Sequence, residues 1–246
     1  MLPTFLDEVD ELKHKKTNST IQTTQTFEEF WDSLPEKLIL FDYEKELFTE
    51  LETSKYLWIK KATGLGITEF MLRWIAWRCF NDPIMKSIDV SVVIITGPRL
   101  ELAVQLIERL KGLFDKSFDE KNTVCILNGC RIEAFPSHHL ASARGLNPKI
   151  VFLDEADFFP IGEQKEARDV SERYIAKTNP HILMVSTPNI PGGLFETMEK
   201  EEPSLYKKIQ LPYTKGLDRI YDNEMIKVAI QSPSFEREYN LNMDME

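Results

Sequence analysis

Short apolar runs alternate with segments of helical period along most of this sequence. Tyr56-Leu57-Trp58-Ile59, Val90-Ser91-Val92-Val93-Ile94-Ile95-Thr96, Ile150-Val151-Phe152-Leu153 and His181-Ile182-Leu183-Met184-Val185 have the length and β-branched content of strands buried on both faces. Between them, Phe70 to Trp77 and Glu101 to Phe114 place apolar residues at helical spacing, the latter at Leu102, Leu106, Ile107 and Leu110. Strands alternating with helices predict an α/β fold with a mostly parallel sheet covered on both faces. Thr123 to Leu127, Asn128-Gly129 and Cys130 to Phe135 predict a β-hairpin inserted in that sheet or added at its edge, because Asn-Gly suits a two-residue primed turn. In that register Leu127 faces Cys130 and Cys125 faces Ile132. Tyr206 to Leu211 is a late strand candidate, and Asn223 to Ile230 reads as helical.

Before the first strand, Leu2, Phe5, Leu6, Val9 and Leu12 make a short amphipathic helix that either docks a partner or packs on its own domain. The polar run His14 to Gln25 follows as a tether. Thr26-Phe27-Glu28-Glu29 has capping-box spacing, Phe27, Phe30, Trp31 and Leu34 supply an apolar stripe, and Pro35 ends it. Asp42 to Leu51 is a further helical stretch with Tyr43, Leu47 and Leu51 on one side. Residues 1–33 are thus expected to be helix and tether, and residues 34–246 the compact domain.

Composition narrows the class. Thirty basic against forty acidic residues give a net charge of −10, which argues against general affinity for nucleic acid but not against a local basic strip. No apolar run approaches the ~20 residues of a membrane helix, and the first residues lack the basic start and apolar middle of a signal peptide. A cytoplasmic protein is expected. Cys79, Cys125 and Cys130 are odd in number and lack C-x-x-C spacing, so they suggest packing rather than a disulfide or zinc site. His138-His139 has no third ligand nearby and reads as loop surface.

The strand ends carry the chemistry. The first run leads into Lys60-Lys61-Ala62-Thr63-Gly64-Leu65-Gly66-Ile67-Thr68-Glu69 and then into a helix start. Strand, glycine-bearing turn and helix N-terminus converge backbone N–H groups on one spot, as in a phosphate-binding loop. Against G-x-x-x-x-G-K-[ST], Gly66 and Thr68 fit, Ile67 replaces the lysine, and Lys61, with Lys60 as its neighbour, offers the cation from the front. A later strand ends in Asp154-Glu155-Ala156-Asp157, the apolar-run-plus-Asp-Glu pattern that holds Mg²⁺ and polarises a water attacking a γ-phosphate. Ser186-Thr187-Pro188-Asn189 is either a plain strand-ending turn or one that senses the γ-phosphate. Arg144, on the loop Ser142-Ala143-Arg144-Gly145, either reaches a phosphate or makes a surface salt bridge.

Taken in order, Tyr43-Glu44-Lys45-Glu46, Lys60 to Glu69, Thr96-Gly97-Pro98-Arg99, Ala143-Arg144-Gly145, Phe152-Leu153-Asp154-Glu155-Ala156 and Ser186-Thr187-Pro188-Asn189 resemble the ATPase domain of the large terminase subunit, the DNA-packaging motor of tailed viruses. The resemblance runs from about Leu34 to Met243. It implies a RecA-like (ASCE) P-loop NTPase fold, Mg²⁺-dependent ATP hydrolysis and translocation of double-stranded DNA. The implied nucleotide contacts are Tyr43, Glu44, Lys60, Lys61, Ala62, Thr63, Gly64, Leu65, Gly66, Ile67 and Thr68. Thr68 and Asp154 would share Mg²⁺, Glu155 would be the catalytic carboxylate, Arg144 an arginine finger, and Ser186, Thr187 and Pro188 the coupling turn. Glu44 stands where the family often has glutamine, implying looser base recognition. Implied partners are further copies in a ring, the portal protein and the small terminase subunit, with no membrane. Phe235-Glu236-Arg237-Glu238-Tyr239 resembles the end of the ATPase portion, so no nuclease activity is expected of this chain. The competing readings are an inactive nucleotide-binding or assembly module and a helicase-like ATPase.

Overall fold

The apolar runs pair as neighbours in one sheet. In the computed structural model, which describes residues 25–86 and 89–242, seven strands are present: β1 (Tyr56–Lys61), β2 (Val90–Thr96), β3 (Val124–Leu127), β4 (Cys130–Pro136), β5 (Ile150–Asp154), β6 (His181–Ser186) and β7 (Lys207–Leu211). Their spatial order is β3-β4-β2-β5-β6-β1-β7. Every neighbouring pair is parallel except the β3-β4 hairpin at the edge. The helices are α1 (Phe27–Ser33), α2 (Asp42–Thr53), α3 (Ile67–Asn81), α4 (Leu100–Gly112), α5 (Leu140–Ala143), α6 (Ile161–Glu172), α7 (Ile175–Thr178), α8 (Leu194–Lys200), α9 (Asn223–Ala229) and α10 (Phe235–Glu238).

Strand side chains alternate between two cores, as the period of two requires. Leu57, Ile59, Val92, Ile94, Ile150, Phe152, Leu183 and Val185 face α1 to α4. Trp58, Val93, Ile95, Val151, Leu153, Ile182 and Met184 face α5, α6 and α8. Trp74 is buried, with Trp77 and Phe80 packed against the same core, so these aromatics of α3 are structural. The hairpin has the expected register, Leu127 opposite Cys130 and Cys125 opposite Ile132. Asn128 and Gly129 have φ of 49° and 80°, the left-handed pair that a type I′ turn demands. The three cysteines are buried and unbridged.

Helix α1 begins with the expected capping box: the Glu29 N–H donates to the Thr26 hydroxyl at 3.2 Å and the Thr26 N–H to the Glu29 carboxylate at 2.8 Å. Phe27 stacks on Phe48 with centroids 4.7 Å apart and meets Phe70 and Trp77 edge-on. Phe27, Phe30 and Trp31 are buried in the same core as α3. The packed body therefore takes in α1 and starts earlier than the boundary expected near Leu34. The amphipathic segment at residues 2–13 and the polar run up to Thr24 lie outside the described residues. Among the described residues no helix is long and apolar enough to cross a membrane.

Candidate nucleotide site

Between β1 and α3 the chain turns through two left-handed glycines, Gly64 at φ 81° and Gly66 at φ 76°. Gly66 is the N-cap of α3 and offers no side chain to it, so the first-turn N–H groups and the positive end of the helix dipole are left for an anion. Late parts of the chain brace the loop from outside. The Ala62 N–H donates to the Leu211 carbonyl at 2.8 Å and the Thr63 N–H to the Glu238 carbonyl at 2.9 Å. The Tyr221 hydroxyl donates to the Thr63 carbonyl, and the Tyr43 hydroxyl to the Leu65 carbonyl at 2.7 Å. A Cβ on Gly216 would meet Leu65 at 2.8 Å, so the collar fits the loop closely.

Strand alternation separates the two lysines. Lys61 lies on the α3 side, where its ammonium pairs with Glu155 and donates to the Thr187 hydroxyl at 2.9 Å. Lys60 points to the opposite face with Trp58, and both oxygens of Glu199 hold it at 2.7 Å. Of the two cations expected at the loop, only Lys61 is on its side.

The carboxylates at the end of β5 complete the group. Asp154 is buried and accepts from the Thr68 hydroxyl at 2.8 Å. Burial and the neighbouring Glu155 push its pKa up to about 6, against the opposing pull of Thr68, Lys61 and Arg109. A buried hydroxyl–carboxylate pair of this kind fits Mg²⁺, which takes one or two protein carboxylates together with substrate phosphates. Glu155 turns the chain off the strand in the left-handed region, φ 52°, a conformation non-glycine residues adopt at a cost. That turn aims its carboxylate across at β6. The Thr187 N–H donates to Glu155 Oε2 at 3.1 Å, and the Ser186 hydroxyl lies 3.3 Å from the same oxygen. Pro188 is buried behind them. Beyond it, the Asn189 and Ile190 N–H groups donate to Asp157 Oδ2 at 2.6 and 3.2 Å. Asp157 is fully buried, and burial raises its pKa despite these donors.

A cavity of about 330 Å³ adjoins the loop, lined by Leu65, Gly66, Phe41, Leu38, Ile220 and Glu44 among others. Glu44 is buried and accepts from the Phe41 N–H at 2.8 Å. Burial raises its pKa to about 7, the Phe41 hydrogen bond only partly offsetting it. A second cavity, about 300 Å³, is lined by Asp154 and Glu155 together with Thr96, Gly97, Arg109 and Phe158. Arg144 stands apart from all of this, half-exposed, with Glu166 as its partner at 2.8 Å.

No protein-family profile matches the sequence, and no curated protein sequence does. Solved structures do match. The large terminase ATPase domain of Thermus phage P74-26 aligns with a TM-score of 0.56 at 14% identity, over 76% of this chain and 88% of that one. The large terminase of another thermophilic bacteriophage gives 0.61 at 11% identity, over 81% and 52%. That of the HK97 bacteriophage gives 0.60 at 13%, over 84% and 51%. The chain has the fold of a bacteriophage large terminase ATPase domain. It spans most of the isolated ATPase domain and about half the length of the two large terminases. The arrangement is RecA-like, a mostly parallel sheet flanked by helices.

Within this terminase-like fold, two features of the site had no signal in the sequence. Arg109 lies next to the apolar stripe of α4 and reaches Glu69 at 3.1 Å, while Glu69 also takes the buried Arg73 at 2.9 Å. Tyr221 and the Glu238 carbonyl reach the loop from far along the chain. Neither spacing nor composition pointed to them. The separation of Lys60 from Lys61, by contrast, follows from strand alternation alone.

Proposed function

We propose that this chain is an ATP-hydrolysing, Mg²⁺-dependent motor domain that drives packaging of double-stranded DNA, working as a ring of identical subunits. The observation that carries the proposal is the convergence of Lys61, Thr68, Asp154, Glu155 and Thr187 at the mouth of a two-glycine loop and a helix N-terminus. Residues from three strand ends and one helix meet there, where ligands of parallel sheets bind.

The roles follow from the contacts. The loop N–H groups from Gly64 to Thr68, with Lys61, would hold the phosphates, and the base would enter the cavity beside Tyr43 and Glu44. Thr68 and Asp154 would hold Mg²⁺, which supplies charge neutralisation at the transferred phosphoryl group. Glu155 would accept the proton of the attacking water. Its ion pair with Lys61 makes that base conditional on substrate: phosphate oxygens offer the ammonium a stronger partner and release the carboxylate. Ser186 and Thr187 contact Glu155 and, with Pro188 next in the chain, would pass the change along β6. The remaining positive charge would come from Arg144 of an adjacent subunit. The portal protein and the small terminase subunit are the further partners this reading implies.

Steady-state phosphate release from wild type, Lys61→Ala and Glu155→Gln tests it. Turnover in wild type and a fall of about 10²-fold or more in each variant is the expected result. Absence of turnover in wild type with and without duplex DNA would refute it.

A further inference from the structure

The chain has forty acidic residues, yet residues 134–153 and 173–195 contain none. The fold lays these two stretches side by side. β5 and β6 pair along their length, the Thr178 hydroxyl donates to the Pro148 carbonyl at 2.7 Å, the His181 N–H donates to the Lys149 carbonyl at 3.0 Å, and the Tyr174 hydroxyl reaches the Ala143 carbonyl. Where β5 and β6 begin, at the amino edge of the sheet, they bring together Lys149, Arg173 and Lys177, with Arg144 alongside. Lys55, just before β1, joins them through its bond to the Asn179 carbonyl at 3.0 Å. Among the described residues no ion pair involves Lys149, Arg173 or Lys177. The acidic groups nearby are Asp89, 3.5 Å from Asn147, Glu166, already paired with Arg144, Asp169, one turn before Arg173 on α6, Glu172, held by Arg168 and the Tyr206 hydroxyl, and, on the Lys55 and His181 side, Glu52 and Asp82, which share Arg78. Once Arg78, Arg144 and Arg168 have taken Glu52, Asp82, Glu166 and Glu172, Lys149, Arg173 and Lys177 are the cations left over, in a chain whose net charge is −10.

We propose that this amino-edge surface binds the phosphate backbone of duplex DNA. The choice of duplex DNA as the polyanion rests on the motor reading above; the surface itself does not. Duplex DNA carries one negative charge per ~1.7 Å of axis, and each phosphate neutralised by an unpaired Lys or Arg releases a condensed counterion. Elsewhere the chain's own acidic charge repels such a polymer, which confines contact to this strip. The strip lies at the opposite edge of the sheet from the nucleotide loop, so the two ligands do not compete. β1, β5 and β6 run directly from one to the other, a span of about 17–20 Å at ~3.3 Å per residue.

Fluorescence anisotropy of a labelled duplex, titrated from 50 to 200 mM salt, tests the surface on the full chain. The triple variant Lys149→Ala, Arg173→Ala, Lys177→Ala should bind at least about 10-fold more weakly at the low-salt end, with a salt slope smaller by about 3. The charge-keeping triple Lys149→Arg, Arg173→Lys, Lys177→Arg should retain both affinity and slope, and basal phosphate release and melting temperature should hold in either. Unchanged affinity and slope in the alanine triple overturn the proposal. So does wild type that fails to bind duplex at 50 mM salt, or heparin that binds with equal affinity and equal loss in the variant. If wild type hydrolyses no ATP yet the alanine triple loses DNA, the motor reading falls and the surface stands.

Discussion

Glu44 is the residue whose setting departs furthest from what its charge prefers. It sits buried at the start of α2, its carboxylate turned back on the Phe41 N–H, and burial holds its pKa near 7 against an ordinary 4.5. An acid whose pKa rises on folding binds its proton more tightly in the folded state. Its contribution is therefore full below pH 4.5 and declines as pH climbs to about 7. At ~1.4 kcal/mol per unit the loss is at most about 3.5 kcal/mol. Glu44→Gln keeps the acceptor for Phe41 and removes this titration, so its unfolding free energy should fall less with pH than that of wild type, the remaining fall belonging to groups such as Asp154. Denaturant melts at pH 5 and pH 8 measure this; parallel behaviour of the two proteins would dismiss burial of Glu44 as a source of pH dependence. The sequence showed that a glutamate stands at this position, but its burial arises from α1 and the Leu38 to Phe41 segment folding over it.

At the scale of elements, what could be read in the sequence was what depends on neighbours along the chain. The β3-β4 register followed from Asn128-Gly129, because one turn type fixes which residues face each other. The strand ends bearing Lys61, Asp154-Glu155 and Ser186-Thr187 were legible because parallel strands deliver their carboxyl ends to one edge. Helix α1 was legible as a helix from its capping box, but not as part of the core, since its partners Phe48, Phe70 and Trp77 are distant in sequence. Its membership has a measurable cost. Phe27 is 2% exposed, and Phe27→Ala should destabilise the fold by about 3–5 kcal/mol, lowering the melting temperature by roughly 6–20 °C. A shift of only a degree would mean that α1 is an appendage after all.

For the whole molecule, the arrangement of charge is more informative than its total. The nucleotide edge gathers carboxylates and supplies Lys61 as the cation on the loop, while Arg144 is held by a half-exposed pair with Glu166 of α6, a contact contributing about 0–1 kcal/mol. Losing that pair should not unfold the protein. If Arg144 serves the neighbouring subunit, Arg144→Ala should abolish hydrolysis with nucleotide affinity nearly intact. Mixing it with inactive Glu155→Gln should then restore part of the turnover, because mixed rings contain sites with one good carboxylate and one good arginine. No recovery on mixing would place Arg144 in a role within its own subunit. Nothing local in the sequence decides between these, since a ring interface is a property of two copies.

The braces on the phosphate loop also set a timetable for synthesis. β1 needs β6 on one side and β7 on the other, and Thr63 is closed by the carbonyl of Glu238. At ~5–20 residues per second, the ribosome adds Glu238 roughly 10–35 s after Thr63. Until then the loop lacks the last of its outer braces, so a growing chain cannot finish this site early, and a ribosome-stalled product ending before Leu211, without β7, Tyr221 or Glu238, should fail to retain nucleotide even with every loop residue in place.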